Sequence, residues 1–156
     1  MKPLEINSSE CVTVSVKDKG IDFRVPTMAG LFIMKFDAWI DRGIESNKDV
    51  DDMMYILDSY FLPNSMDPRY ADVYDVVEDA DPFVSAAYML AKDARELLSE
   101  EECSFYSEII DGEMAKEEGS PLLKQSLIGS NQNYETVLRA WSQFSSTIKN
   151  ATDVEV

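Results

Sequence analysis

The stretch FIMKFDAWIDRGIESNKDVDDMMYIL, residues 32–57, decides how this chain folds. It opens with an apolar run broken by one cation, Lys35. It then crosses a turn and reaches a knot of carboxylates, Asp49, Asp51 and Asp52. A helix advances about 100° per residue, so Leu31, Lys35, Ala38, Trp39 and Arg42 share one side of a first helix. Val50, Met53, Leu57 and Phe61 mark the core-facing side of a second. A short loop makes the two helices antiparallel neighbours. The stem of Lys35 then lies on apolar surface while its amine reaches the rim, and a half-buried ammonium needs anionic partners. Asp49 projects at the edge of the core-facing side and Asp52 flanks it, whereas Asp51 and Asp58 project toward water. Lys35 and Asp49 are therefore expected to meet across the hairpin. Acidic residues in a first helical turn also answer to the macrodipole and need no further purpose. From spacing alone that plainer account, a hairpin with ordinary solvated charges, is the stronger.

Outward from this hairpin the pattern stays helical on one side and turns to strand on the other. Cys11–Val16 and Ile21–Val25 alternate and are rich in β-branched residues, which predicts a β-hairpin over 11–25 with KDKG at its turn and Gly20 at the permissive position. Pro26 ends it, Thr27 caps a helix from Met28 to Arg42, and Gly43 closes that helix. Asn47 is placed to cap a second helix, Lys48 to Tyr60, ahead of Pro63. A third helix is expected over Asp67–Glu78, then DADP breaks the chain. Pro82 opens a long helix to Leu98. Ser99 and Glu102 form a capping box for a helix to Ile110. Ser120 and Pro121 begin a short helix, and a last one spans Asn133–Lys149. The fold class expected is mostly α: a small N-terminal β-hairpin, a bundle of about six helices over 27–149, one domain over 1–150, and a flexible tail at 150–156.

Charge and composition bound the function. The chain has 156 residues, 14 Lys+Arg against 30 Asp+Glu, and a formal net charge of −16. Such acidity opposes binding to nucleic-acid backbone or anionic membrane and suits a basic protein partner or a cation site. There is no histidine, which removes Ser-His and Cys-His catalysis. Cys11 and Cys103 are far apart and read as reduced thiols of a cytoplasmic protein. No apolar segment has the length of a membrane span, and none reads as a signal peptide.

The residues of the opening stretch also resemble a known family. Pro26, Met34–Lys35–Phe36 with Ala38, Arg42, and Lys48–Asp49–Val50–Asp51–Asp52 are similar in order and spacing to the C-terminal half of AbiEii-type nucleotidyltransferases, the toxins of abortive-infection toxin–antitoxin systems. AAYMLAKDARELL, residues 86–98, is similar to a further helix of such proteins. The resemblance covers about residues 20–100. It implies metal-dependent transfer of a nucleotide from an NTP to an acceptor, with Mg²⁺ and NTP as cofactors of a complete site. It casts Lys35 and Asp49 as catalytic, with Lys35, Arg42 and Asp52 meeting the nucleotide. The family's Gly-Ser and Asp-x-Asp metal motif is missing. Gly129–Ser130 has no Asp-x-Asp after it, and Asp79–Asp81 has no Gly-Ser before it. By itself the chain is expected to transfer nothing, whether it is a fragment, half of a split enzyme or a degenerate relative. No metal-binding residue is assigned.

A second reading needs no catalysis: the acidic helical surface binds a basic partner, such as a cognate antitoxin or a missing catalytic half. A homo-oligomer is compatible with either. Trp39 and Trp141 are expected to anchor the core. Tyr70 and Tyr74 are expected to pack one turn apart, Met28, Met34, Met53 and Met54 to fill an adaptable core, and Glu100–Glu102 to be a solvated helix end.

Overall fold

The computed structural model describes residues 11–16 and 20–150. Residues 17–19 of the predicted KDKG turn and residues 151–156 of the tail lie outside them. Strand β1 (Cys11–Val16) pairs antiparallel with β2 (Ile21–Pro26), Cys11 opposite Pro26 and Val16 opposite Ile21. Gly20 has φ 60°, the conformation for which glycine was expected there. Among the described residues seven α-helices follow: α1 (Met28–Arg42), α2 (Lys48–Asn64), α3 (Val73–Val76), α4 (Pro82–Leu97), α5 (Glu100–Ala115), α6 (Pro121–Gly129) and α7 (Tyr134–Lys149). The fold is mostly α with a small β part, as the periodicities imply. None of the described helices is long and apolar enough to cross a membrane.

Helix starts follow their caps. Thr27 Oγ1 accepts from Gly30 N at 3.1 Å, and Ser120 Oγ accepts from Leu123 N at 3.1 Å. Ser99 and Glu102 exchange both bonds of the capping box. Each cap satisfies an amide that the helix itself leaves unpaired.

Three boundaries differ from expectation, each for a physical reason. Helix α2 does not stop near Tyr60 but continues through Pro63 to Asn64. Proline in a last turn removes only a terminal bond. Side chains take up the loose carbonyls: Asn64 Nδ2 donates to Tyr60 O at 2.7 Å and Ser65 Oγ to Leu62 O at 3.0 Å. The single helix expected over 67–78 is instead a 3₁₀ turn, Pro68–Tyr70, and the one-turn α3. Here tertiary bonds override propensity, because Tyr70 and Asp72 both reach α4. Helix α5 runs beyond Ile110 to Ala115, held by the buried Glu113, which accepts from Lys116 Nζ and Ser120 Oγ at 2.7 Å each.

Helix α4 sits at the centre. Phe83 to Ala91 are buried without interruption, so no polar stripe survives on this segment. It packs chiefly on α7 and α2, while α5 covers the other side of α7. Ala86, Ala87, Ala91 and Ala94 lie within the core, and small side chains let neighbouring helices approach. Trp39 and Trp141 are core residues as expected. Of the four methionines expected to fill the core, Met53 and Met54 are fully buried, but Met28 and Met34 are exposed. Tyr70 is buried and Tyr74 is exposed, so they form no packing pair, since no continuous helix joins them.

Candidate functional site

The α1–α2 hairpin brings the sequence-predicted residues together. Lys35 Nζ lies 2.7 Å from Asp52 Oδ2 and 3.9 Å from Asp49 Oδ1. One guanidinium nitrogen of Arg42, Nη2, straddles the other carboxylate, 3.2 Å from Asp49 Oδ1 and 3.1 Å from Oδ2. Asp49 is 6% exposed, so its charge is sheltered and held by two cations. Asp51 and Asp58 are exposed, on the side helical geometry assigned them. Lys35, Arg42, Asp49 and Asp52 thus form one two-plus, two-minus cluster.

The loop between the helices is built by Gly43, which closes α1 as expected, and by Gln125, whose contacts sequence reasoning missed. Gly43, at φ 53°, turns the chain into a 3₁₀ segment, Gly43–Glu45. Gln125 of α6 then ties the loop to α1. Its Oε1 accepts from Trp39 Nε1 at 2.6 Å, and its Nε2 donates to Ser46 O at 3.4 Å. Asn47 precedes α2 but caps nothing; it donates instead to Asp51 and, at 3.3 Å, to Gln125 O. No local pattern announces Gln125, because its partners lie more than seventy residues earlier in the chain.

A pocket of about 140 Å³ opens beside the cluster, lined by Lys35, Arg42, Glu45, Ser46, Lys48 and Asp49. Typical small-molecule sites occupy ~300–1,000 Å³, so this one has room for little more than a phosphate-sized group. The described residues do not fit the Mg²⁺ that the resemblance implies. Among the described residues no group of three or more Asp, Glu or Cys is placed to hold a metal ion. Asp79 is engaged by Arg139 at 2.7 and 2.8 Å, and this partner holds its carboxyl down at about 2. Asp81 caps α4, accepting from Phe83 N and Val84 N. The Gly129–Ser130 pair cradles no phosphate: a Cβ on Gly129 would sit 2.6 Å from Asp51 Oδ1 and 3.2 Å from its Cα. That glycine exists for close approach of α6 to α2.

Asp49 is expected to carry the stability of this cluster. Asp49→Ala removes the sheltered acceptor of Arg42 and leaves Lys35 to Asp52 alone, a loss of about 1–2 kcal/mol in urea denaturation. Asp52→Ala, at a half-exposed position, is expected to cost under about 1 kcal/mol. Equal losses would contradict the assignment of Asp49 as the inner anion.

The fold and site define a small, acidic, mostly helical protein with a preformed ion cluster in its first hairpin. Compared with family models, with curated proteins and with solved structures, the chain matches none.

Proposed function

We propose that this chain is a non-catalytic interaction module that docks a basic, amphipathic protein segment along the outer face of α2. The observation that carries this is a row of large apolar side chains left in solvent. Tyr55 is 70% exposed, Leu62 81%, Met66 91%, and Ile128 76%. Tyr55 and Leu62 recur at helical spacing on one face of α2, with Met66 just beyond its end. Asp51 and Asp58 stand on that same face. Ile128 adjoins it because its neighbour Gly129 abuts Asp51. Exposed apolar side chains in such a row mark interaction surfaces. Charge selects the partner. Lys35, Arg42, Arg69, Lys92, Lys116, Arg139 and Lys149 are already paired to carboxylates, and at −16 the remaining surface is dominated by unpaired acid.

A synthetic helical peptide with leucines at i, i+3, i+4 and i+7 and lysines elsewhere is the probe. It is expected to bind at low salt and to weaken as salt rises. The double variant Tyr55→Asp, Leu62→Asp should cut its affinity about tenfold or more. An isomeric peptide with scattered leucines should bind less well. Equal binding of both peptides, or indifference to the double variant, overturns the reading. A concentration-dependent dimer in sedimentation, abolished by the same variant, would reassign the face to a second copy of the chain.

A nucleotide-handling reading has its own support, since Lys35, Arg42 and Lys48 all line one small pocket. Two of those three already face carboxylates, which weakens their pull on phosphate. Thermal shift with NTP and Mg²⁺ separates the readings. A rise at millimolar NTP that Lys35→Ala abolishes would favour nucleotide binding, and no rise would remove it.

A further inference from the structure

A cavity of about 570 Å³ lies elsewhere, between α4 and α7. This falls within the range of small-molecule sites. Its charged lining sorts into two kinds. Asp72 accepts from Tyr88 Oη at 2.6 Å and pairs with Lys92 Nζ at 3.2 Å, and Lys92 also donates to Arg69 O at 2.9 Å. That pair is mutually satisfied and offers a ligand no net charge. Arg95 and Glu96 are different. Among the described residues neither has an ion-pair partner. Arg95 is held by a backbone carbonyl instead. One of its guanidinium nitrogens, Nη1, donates to Ile148 O at the end of α7. That bond fixes the side chain and leaves further N–H groups of the fork for another acceptor. Arg95 is half-buried in the cavity wall, whereas Glu96 stands exposed at the rim. Gln143 and Ser146 add neutral hydrogen-bonding groups, and Val76 adds an apolar wall.

From this arrangement we infer that the α4–α7 cavity binds a small zwitterion of the amino-acid type, its carboxylate on Arg95 and its ammonium toward Glu96. A planar guanidinium fork matches a carboxylate in geometry as well as charge. Among the described residues that line the cavity, Arg95 is the cation without an ion pair, and one such charge balances a monocarboxylate. A phosphate dianion would leave negative charge uncompensated beside Asp72 and Glu96. The inference is independent of the α2 docking face, because no cavity-lining residue lies on that helix.

The test titrates the full chain with the proteinogenic L-amino acids, one at a time, following amide chemical shifts by NMR. Saturable shifts confined to α4 and α7 are expected for a subset of them. Arg95→Gln should weaken binding about tenfold or more, the loss expected when a charged hydrogen-bonding partner goes. Glu96→Gln should weaken the zwitterion but leave a simple carboxylate such as butyrate unaffected. Arg95→Gln also loosens the end of α7, so Ser146→Trp serves as a second variant. Ser146 is exposed on α7 and lines the cavity, so the indole fills the space without entering the core. It should abolish the shifts while the remaining spectrum is preserved. No saturable shift with any amino acid, or shifts unchanged by Ser146→Trp, overturns the inference. Stronger shifts with inorganic phosphate than with any zwitterion overturn it as well.

Discussion

Trp141→Ala is expected to lower the unfolding free energy by about 3–5 kcal/mol, the range for a large aromatic removed from a packed core. Trp141 is 1% exposed and stands where three helices meet. Its ring lies 5.9 Å from Phe32 and 5.7 Å from Phe36 of α1, and 6.2 Å from Phe144 of its own helix α7. Its indole N–H donates to Ser126 Oγ of α6 at 3.0 Å, and Ser126 in turn donates to Leu122 O at 2.7 Å. Truncation therefore opens a cavity, deletes aromatic contacts and removes the indole donor from Ser126, whose hydroxyl keeps only its bond to Leu122 O. A domain of this size has about 5–15 kcal/mol in total, so the expected loss is between about a fifth and all of it. Urea denaturation followed by circular dichroism measures the loss, with an unchanged slope if the native fold survives. Trp141→Phe keeps most of the packing and should recover more than half of it. A loss below about 1 kcal/mol for the alanine variant would show that α1, α6 and α7 do not converge on this ring.

What the sequence showed of this fold depended on distance along the chain. Helices α1, α4 and α7 were legible because their apolar spacing and their caps are local signals. The meeting of Lys35 with Asp49 and Asp52 was legible for the same reason, since a short loop leaves an antiparallel hairpin few ways to pair. Gln125 was not, because a glutamine in a short helix carries no sign that its amide closes a loop 79 residues earlier. The segment 67–78 misled because Asp, Tyr and Val at helical spacing suggest a helix. Its Tyr70 and Asp72 are instead drawn to α4, at a separation only tertiary packing reveals. Pro63 misled in the opposite sense, since a proline in the last turn removes one terminal bond without ending the helix before it. Proximity in the Lys35 cluster was thus readable, but its chemical role was not. The same two cations and two anions serve equally to pin a hairpin or to greet a phosphate.

Asp93→Ala is expected to cost about 2–4 kcal/mol, through two hydroxyls rather than one charge. Asp93 projects from α4 and accepts from both Tyr60 of α2 and Tyr70 of the 3₁₀ turn, with Arg69 Nη1 at 3.8 Å on its outer side. Tyr60 and Tyr70 are buried, so alanine leaves two phenolic donors without an acceptor, each costing about 1–3 kcal/mol with partial relief from water. Asp93→Asn retains one acceptor oxygen and should recover part of the loss. Alkaline pH supplies a second readout. Burial, reinforced by Asp93, pushes the Tyr60 and Tyr70 phenols well above the ordinary value of 10. Above pH 10 the unfolded chain loses these protons while the folded chain keeps them. The folded state then binds more protons, so stability falls as pH rises, by up to about 1.4 kcal/mol per pH unit for each phenol. Below pH 10 both states hold the protons and this contribution is flat. Tyr60→Phe removes one titrating group and should shallow the alkaline decline. Asp93→Ala should leave a decline in place, because burial is the larger cause of both shifts. Tyrosinate absorbance during a pH titration, combined with urea melts at several pH values, distinguishes these outcomes. A Tyr60→Phe variant with an unchanged alkaline slope would show that this phenol does not stay protonated in the folded protein.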